Sequence, residues 1–207
     1  MSETSASELS NEDGAESAPA PVILFLGNSL SAGYGINPRE AFPSLIEERI
    51  DSLGWDFRVV NAGISGDTSA DGLARLDGLL HLPISVLVLE LGANDGLRGI
   101  SPAVTKRNLR TIIERTRTRH PSVRLLIVGM MVPPELGEVH FRRFAAVFPD
   151  LAAEFDADLV PFLLEGVAGV QTLNQPDGIH PTAAGQRIMA ENVWKHLRPI
   201  LESLVDA

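Results

Sequence analysis

The 207-residue chain has no cysteine, so disulfides and thiolate chemistry are excluded and function falls to hydroxyl, imidazole, carboxylate or backbone groups. No apolar run approaches the ~20 residues that a membrane-spanning helix needs. Positive charge is scarce as well. The net charge is −10, which argues against a nucleic-acid partner. The one basic stretch, Lys106 to Arg119, alternates with apolar residues at helical spacing and reads as a solvated helix face. Phosphate-cradling patterns are also missing, since neither G-x-x-x-x-G-K-[ST] nor G-x-G-x-x-G occurs.

Residues 1–20 lack Lys and Arg altogether. They hold Glu3, Glu8, Glu12, Asp13 and Glu16, and beyond Met1 only Leu9 is a large apolar residue. Such a segment buries too little surface to offset its ordering entropy and is expected to be a disordered acidic tail. It has neither the basic start nor the apolar middle of a signal peptide. The expectation is a cytoplasmic chain as written, or a periplasmic or secreted one if the tail is a linker trimmed from a longer precursor. Residues 21–207 are expected to form one domain, long enough to bury roughly 70% of the unfolded surface.

Within that span two periods alternate. "VILFL" (22–26) is a short apolar run stopped by Gly27, as in a strand buried on both faces. Phe42, Leu45, Ile46, Ile50 and Leu53 fall on one helical stripe closed by Gly54. "FRVVNAG" (57–63) predicts a second strand, Leu73, Leu76 and Leu80 a helix, and "ISVLVLEL" (84–91) a third strand. Val104, Ile112 and Ile113 mark a helix entered through Ser101 and Pro102. "VRLLIVGMMV" (123–132) is the fourth strand; Phe141, Phe144, Phe148, Leu151 and Phe155 predict a helix broken at Pro149; "DLVPFL" (158–163) is the fifth strand. A last helix is expected from Pro181 to Leu204, kinked at Pro199. Five strand–helix alternations imply an α/β fold, a parallel sheet with helices on both faces. Ligands of such folds bind beyond the carboxyl ends of the strands.

The loops at those ends are "GNSLSAG", "NAGISGDTS", "GANDG" and "PDGIHPT". Among the five histidines only His180 has an acid three residues before it, Asp177. One reading makes Asp177 a helix cap and His180 a satisfied polar residue. The other has Asp177 accept the Nδ1 proton and fix the tautomer of a base. Ser29, at the tip of the first strand, is a hydroxyl that such a base could activate. An oxyanion would need donors; the N–H of Ser29, the N–H of Gly66 and the side-chain amide of Asn94 are available, although Gly and Asn also suit turns for their own sake. A G-x-S-x-G elbow is absent around Ser29.

The four blocks "GNSLSAGYG", "NAGISGDTS", "GAND" and "DGIHP", in this order, resemble the SGNH or GDSL-type hydrolase family over about Pro21 to Leu204. Stretches such as "ISGDTSADGLARL" and "LELGANDGLRG" are similar to its bacterial lysophospholipase/thioesterase/arylesterase subgroup. The resemblance implies a five-stranded parallel sheet of flavodoxin-like order and a serine esterase with no metal or organic cofactor. It implies Ser29 as nucleophile, His180 as base and then acid, Asp177 as its orienter, and Ser29, Gly66 and Asn94 as the oxyanion hole. Segments 96–100, with Gly96 and Leu97, and 132–141, with Val132 and Pro133, would line the acyl site; His140 and His81 are assigned to structure or surface. Asn28 stands where the family usually has Asp, which removes a negative charge near the nucleophile and leads us to expect a working enzyme with an altered pH response. The substrate would be a small acyl ester or thioester, or a lysophospholipid. A carbohydrate acetylesterase, or a non-catalytic domain binding a nucleotide or flavin, are the rival readings. Acyl-chain length, leaving group and oligomeric state are left open by the residues.

Overall fold

The computed structural model describes residues 19–133 and 137–206. The expected tail, up to residue 18, lies outside the described residues, as do 134–136 of the 132–141 segment. Five strands, β1 (Val22–Gly27), β2 (Arg58–Asn61), β3 (Ile84–Glu90), β4 (Arg124–Val128) and β5 (Asp158–Val160), form one sheet in the order β2-β1-β3-β4-β5. Every pairing is parallel. All six residues of β1 are buried, which is why its sequence shows no alternation. The chain leaves β1 for β2 on one side and crosses to β3 on the other, so the switch point lies beyond β1 and β3.

Helices α2 (Phe42–Ser52) and α8 (Ala183–Val205) pack together on one face of the sheet. On the other lie α3 (Ser69–Arg75), α5 (Pro102–Arg119), α6 (Glu138–Ala145) and α7 (Val147–Phe155). Two short helices, α1 (Ser29–Ala32) and α4 (Ala93–Leu97), follow β1 and β3 directly. Edge-to-face aromatic pairs anchor both layers, Phe25–Phe42 with centroids 5.7 Å apart and Phe144–Phe148 at 5.5 Å. Among the described residues no helix is long and apolar enough to cross a membrane.

Several expected boundaries shift for local reasons. The α6–α7 break falls at Ala146, not at Pro149. Pro149 instead sits in the first turn of α7, where a missing N–H costs nothing. The last helix begins at Ala183 behind Thr182, whose hydroxyl accepts from the N–H of Gly185. Pro181 precedes it and pairs with Asn174 in an isolated bridge, and α8 runs on through Pro199. Helix α3 ends at Arg75 and passes into a 3-10 turn, Leu76–Gly78. Strand β4 stops at Val128, and the next residue, Gly129, packs so closely that a Cβ there would come within 2.2 Å of the Pro161 carbonyl oxygen.

Candidate active site

Gly27 ends β1 with no room for a side chain, since a Cβ there would lie 2.1 Å from Ser31 Oγ and 2.6 Å from Glu90 Oε2. Asn28 then caps α1, its Oδ1 accepting from the N–H of Leu30 at 3.0 Å. Ser29 becomes the first residue of the helix, a position whose N–H has no partner within the helix. Its Oγ lies 3.0 Å from His180 Nε2, across 151 residues of sequence, and 3.4 Å from Asn28 Oδ1.

His180 is held from behind. Asp177 Oδ2 accepts from His180 Nδ1 at 2.7 Å, while its Oδ1 takes the backbone N–H groups of Ile179 (3.1 Å) and His180 (3.0 Å). These donors, the imidazole first, hold the Asp177 carboxyl down at about 2. The ionised carboxylate assigns the proton to Nδ1 and leaves the Nε2 lone pair facing Ser29. The helix-cap reading of Asp177 is replaced, since Thr182 caps α8. Gln175 fixes this loop to the turn after α1, donating to the carbonyls of Tyr34 (2.6 Å) and Pro181 (3.0 Å). The ring of Tyr34 lies against that of His180, with centroids 4.5 Å apart.

The loops after β2 and β3 converge on the same edge. Arg75, at the end of α3, donates to Asp67 Oδ2 at 2.7 Å and to the Gly27 carbonyl at 3.0 Å. Asn94 Nδ2 donates to the Asp67 carbonyl at 2.9 Å, which leaves its second amide hydrogen available. A bonded path therefore runs from the nucleophile turn through Arg75 and Asp67 to Asn94. Gly66 has φ +90°, its carbonyl accepts from Arg98 Nη2 at 2.9 Å, and its N–H has no partner among the described residues. Buried Asp95 fixes α4 to α3 by accepting from the N–H (2.7 Å) and Oγ (2.5 Å) of Ser69 and from Thr105 Oγ1 (3.1 Å).

The four residues expected to line the acyl site divide into two pairs. Gly96 and Val132 are buried against each other, and a Cβ on Gly96 would meet Val132 Cγ1 at 2.2 Å and Phe144 at 2.9 Å. Leu97 and Pro133 are exposed. His140, assigned to structure or surface, bonds through Nε2 to the Gly96 carbonyl at 3.2 Å, and His81 is exposed. Tyr34, Ile64, Leu97, Met131 and Ile179 are exposed apolar side chains, and all five stand in the segments that follow strand ends or precede α8.

One buried group at this site escaped the reading of the sequence. Glu90, fully buried at the end of β3, is in register with Gly27. It accepts from the Asn28 N–H (3.1 Å), Asn28 Nδ2 (2.8 Å) and Ser31 Oγ (2.7 Å). Burial pushes its carboxyl up to about 7, against the pull of these donors. The lone charged residue in the run "ISVLVLEL" was the available signal.

Comparison with known proteins gives a concordant result. The model of the GDSL-like Lipase/Acylhydrolase family matches residues 25–188. The chain is 43% identical to the esterase TesA of Pseudomonas aeruginosa over 187 residues, 90% of this chain and 92% of that protein. It is 42% identical to the thioesterase 1/protease 1/lysophospholipase L1 of Escherichia coli K12 over 188 residues, 89% of this chain and 86% of that protein. The solved structure of the psychrotrophic esterase EstA from Pseudoalteromonas sp., inhibited by monoethylphosphonate, superposes with a TM-score of 0.82 at 30% identity, covering 87% of this chain and 98% of that one.

Proposed function

This chain belongs to the GDSL-like lipase/acylhydrolase family, and from that membership we propose that it is a serine esterase working through Ser29, His180 and Asp177. The supporting observation is the continuous hydrogen-bond chain from Asp177 Oδ2 through the imidazole to Ser29 Oγ, 2.7 Å and 3.0 Å long. Ser29 Oγ attacks the acyl carbonyl while His180 Nε2 takes its proton, and Asp177 stabilises the imidazolium. The oxyanion is received by the N–H groups of Ser29 and Gly66 and by the free amide hydrogen of Asn94. His180 returns the proton to the departing alcohol, phenol or thiol. Water, deprotonated by the same imidazole, then releases the acid from the acyl-enzyme.

The proposed substrates are aryl and short-to-medium acyl esters, with acyl thioesters and lysophospholipids in reach. The exposed apolar rim and the activities named for the relatives support this range. Gly96, Leu97, Val132 and Pro133 are proposed to shape the acyl wall, the buried pair by packing and the exposed pair by contact. The deciding assay compares graded p-nitrophenyl acyl esters with acetylated sugars, on the wild type and Ser29→Ala. Ser29→Ala is expected to keep substrate binding and lose nearly all turnover. Retention of more than about 5% of the rate would remove Ser29 from its role. A clear preference for acetylated sugars would overturn the substrate class and leave the triad intact.

A further inference from the structure

Ser29 and His180 lie 151 residues apart in the chain, and their own contact is a single hydrogen bond. The loop carrying His180 is braced within itself. Asn174 and Pro181 pair in a bridge, the N–H of Gln175 donates to the His180 carbonyl at 2.7 Å, and the N–H of Thr182 donates to the Leu173 carbonyl at 2.9 Å. The turn after α1 is braced to the other partner, since the N–H of Tyr34 donates to the Ser29 carbonyl at 3.0 Å. The side chain of Gln175 joins the two halves. Its Nε2 donates to the Tyr34 carbonyl at 2.6 Å and to the Pro181 carbonyl at 3.0 Å, which uses both amide hydrogens.

These bonds close a ring. It passes from Ser29 Oγ to His180 Nε2, from the His180 carbonyl to the Gln175 N–H, through the Gln175 amide to Tyr34, and from the Tyr34 N–H back to the Ser29 carbonyl. Apart from the Ser29–His180 pair itself, the Gln175 amide is the only side-chain link in that ring. Gly35 leaves room for it: with φ +74°, a Cβ there would lie 2.3 Å from Gln175 Oε1. The bond to the Tyr34 carbonyl also holds the residue whose ring lies against His180, with centroids 4.5 Å apart. Gln186 reaches α1 as well, donating to the Leu30 carbonyl at 3.2 Å and accepting the Phe42 N–H at 2.9 Å. It does so from α8, and ties α1 to α2 rather than to the His180 loop.

We propose that Gln175 is a positioning residue of the esterase reaction, its amide setting the spacing between the loop that bears His180 and the turn that bears Ser29. This rests on the reading of Ser29 as nucleophile and His180 as base. Without the amide each half keeps its internal bonds and α1 keeps its Gln186 link, so the change falls on the distance between Oγ and Nε2. A misplacement of about 1 Å between reacting groups costs roughly 10²-fold in rate, and a partial shift costs less. In Gln175→Ala the Tyr34 and Pro181 carbonyls lose their shared donor. In Gln175→Glu a carboxylate faces both carbonyl oxygens, acceptor against acceptor, and drives the halves apart.

The test measures p-nitrophenyl ester hydrolysis and melting temperature for the wild type, Gln175→Ala, Gln175→Glu and Gly35→Ala, whose methyl displaces the same amide from the other side. Active sites are counted with diethyl p-nitrophenyl phosphate, in which the attack of Ser29 Oγ on phosphorus releases one p-nitrophenolate. The extent of that release gives the sites that are folded, and its rate constant gives the reactivity of Ser29 with its base. Per titrated site, each variant is expected to lose about tenfold in kcat and in the phosphorylation rate constant, Gln175→Glu the most, with KM changed less than about threefold. The proposal is overturned if kcat per titrated site and that rate constant stay within about twofold of the wild type in both Gln175 variants. A fall confined to the melting temperature or to the number of sites overturns it too, because the amide would then serve stability alone. So does a rise in KM with kcat unchanged. Ser29→Ala, run alongside, separates this proposal from the reading beneath it. Release of p-nitrophenolate by that variant at the wild-type rate would count against the nucleophile itself, whereas full reactivity of the Gln175 variants beside an inert Ser29→Ala removes only the positioning role.

Discussion

An alanine at position 63 would put its methyl 2.5 Å from the backbone nitrogen of Ala32 and 2.8 Å from Ser31 Cβ. Ordinary contact begins at 3.4 Å, so α1 and the loop after β2 would have to part by about 1 Å. Neither side yields freely. Asn61 Nδ2 donates to the Ser31 carbonyl at 2.7 Å, its Oδ1 holds the Gly63 N–H at 3.0 Å, and Ile64 N–H reaches the Gly27 carbonyl at 3.1 Å. The displacement therefore falls on the segment that carries Ser29 and on the loop that carries Gly66. A shift of about 1 Å in reacting groups costs roughly 10²-fold in rate. Overpacking adds about 1–3 kcal/mol of destabilisation, a fall of roughly 2–12 °C in melting temperature. The assay is kcat for p-nitrophenyl ester hydrolysis and a thermal melt of Gly63→Ala. Gly78→Ala serves as control, since its added methyl meets nothing within 4 Å. A Gly63→Ala protein with more than half of the wild-type kcat and an unchanged melting temperature would refute the reasoning.

Further outcomes follow from the same geometry. Asn94→Ala should lower kcat by roughly 10²–10³ with little change in KM, read from initial rates over a range of ester concentrations. Asp177→Asn should lower kcat by roughly 10³–10⁴ through loss of the tautomer that faces Ser29. Because the Asp177 carboxyl sits at about 2 in the folded chain against 3.8 ordinarily, its ionised form contributes stability above about 4 that disappears as the pH falls through about 2. Urea melts between those values should show the wild type losing its advantage over Asp177→Asn. Glu90 has the opposite sign. Its carboxyl is raised from 4.5 to about 7, so the folded chain binds the proton more tightly and loses stability as the pH climbs through that window. The melting temperature of the wild type should fall across that range relative to that of Glu90→Gln, and parallel curves would contradict the burial argument.

Much of this molecule is written in local pattern. The apolar run before Gly27 becomes β1, the stripe from Phe42 to Leu53 becomes α2, and Ser101–Pro102 opens α5, because burial and capping act on residues close together in the chain. The loops "GNSLSAG", "NAGISGDTS", "GANDG" and "PDGIHPT" could be placed on one edge by the parallel-sheet rule alone. Boundaries were less legible. Pro149 looks like a breaker by composition, yet a proline in the first turn of a helix breaks nothing. Likewise Asp177 looks like a cap until Thr182 is seen at the true start of α8.

The strands, most of the helices and the residue types available for acyl chemistry can all be read along the chain, since periodicity and turn propensity are short-range. Which of those residues touch is a property of the packed molecule. The 3.0 Å between Ser29 and His180, Arg75 linking Gly27 to Asp67, and Glu90 beneath Asn28 all depend on the register of β1 against β3 and on how loops far apart in the chain meet. Register and side-chain hydrogen bonding between distant segments are settled when the whole sheet packs, and no local run of residues encodes them.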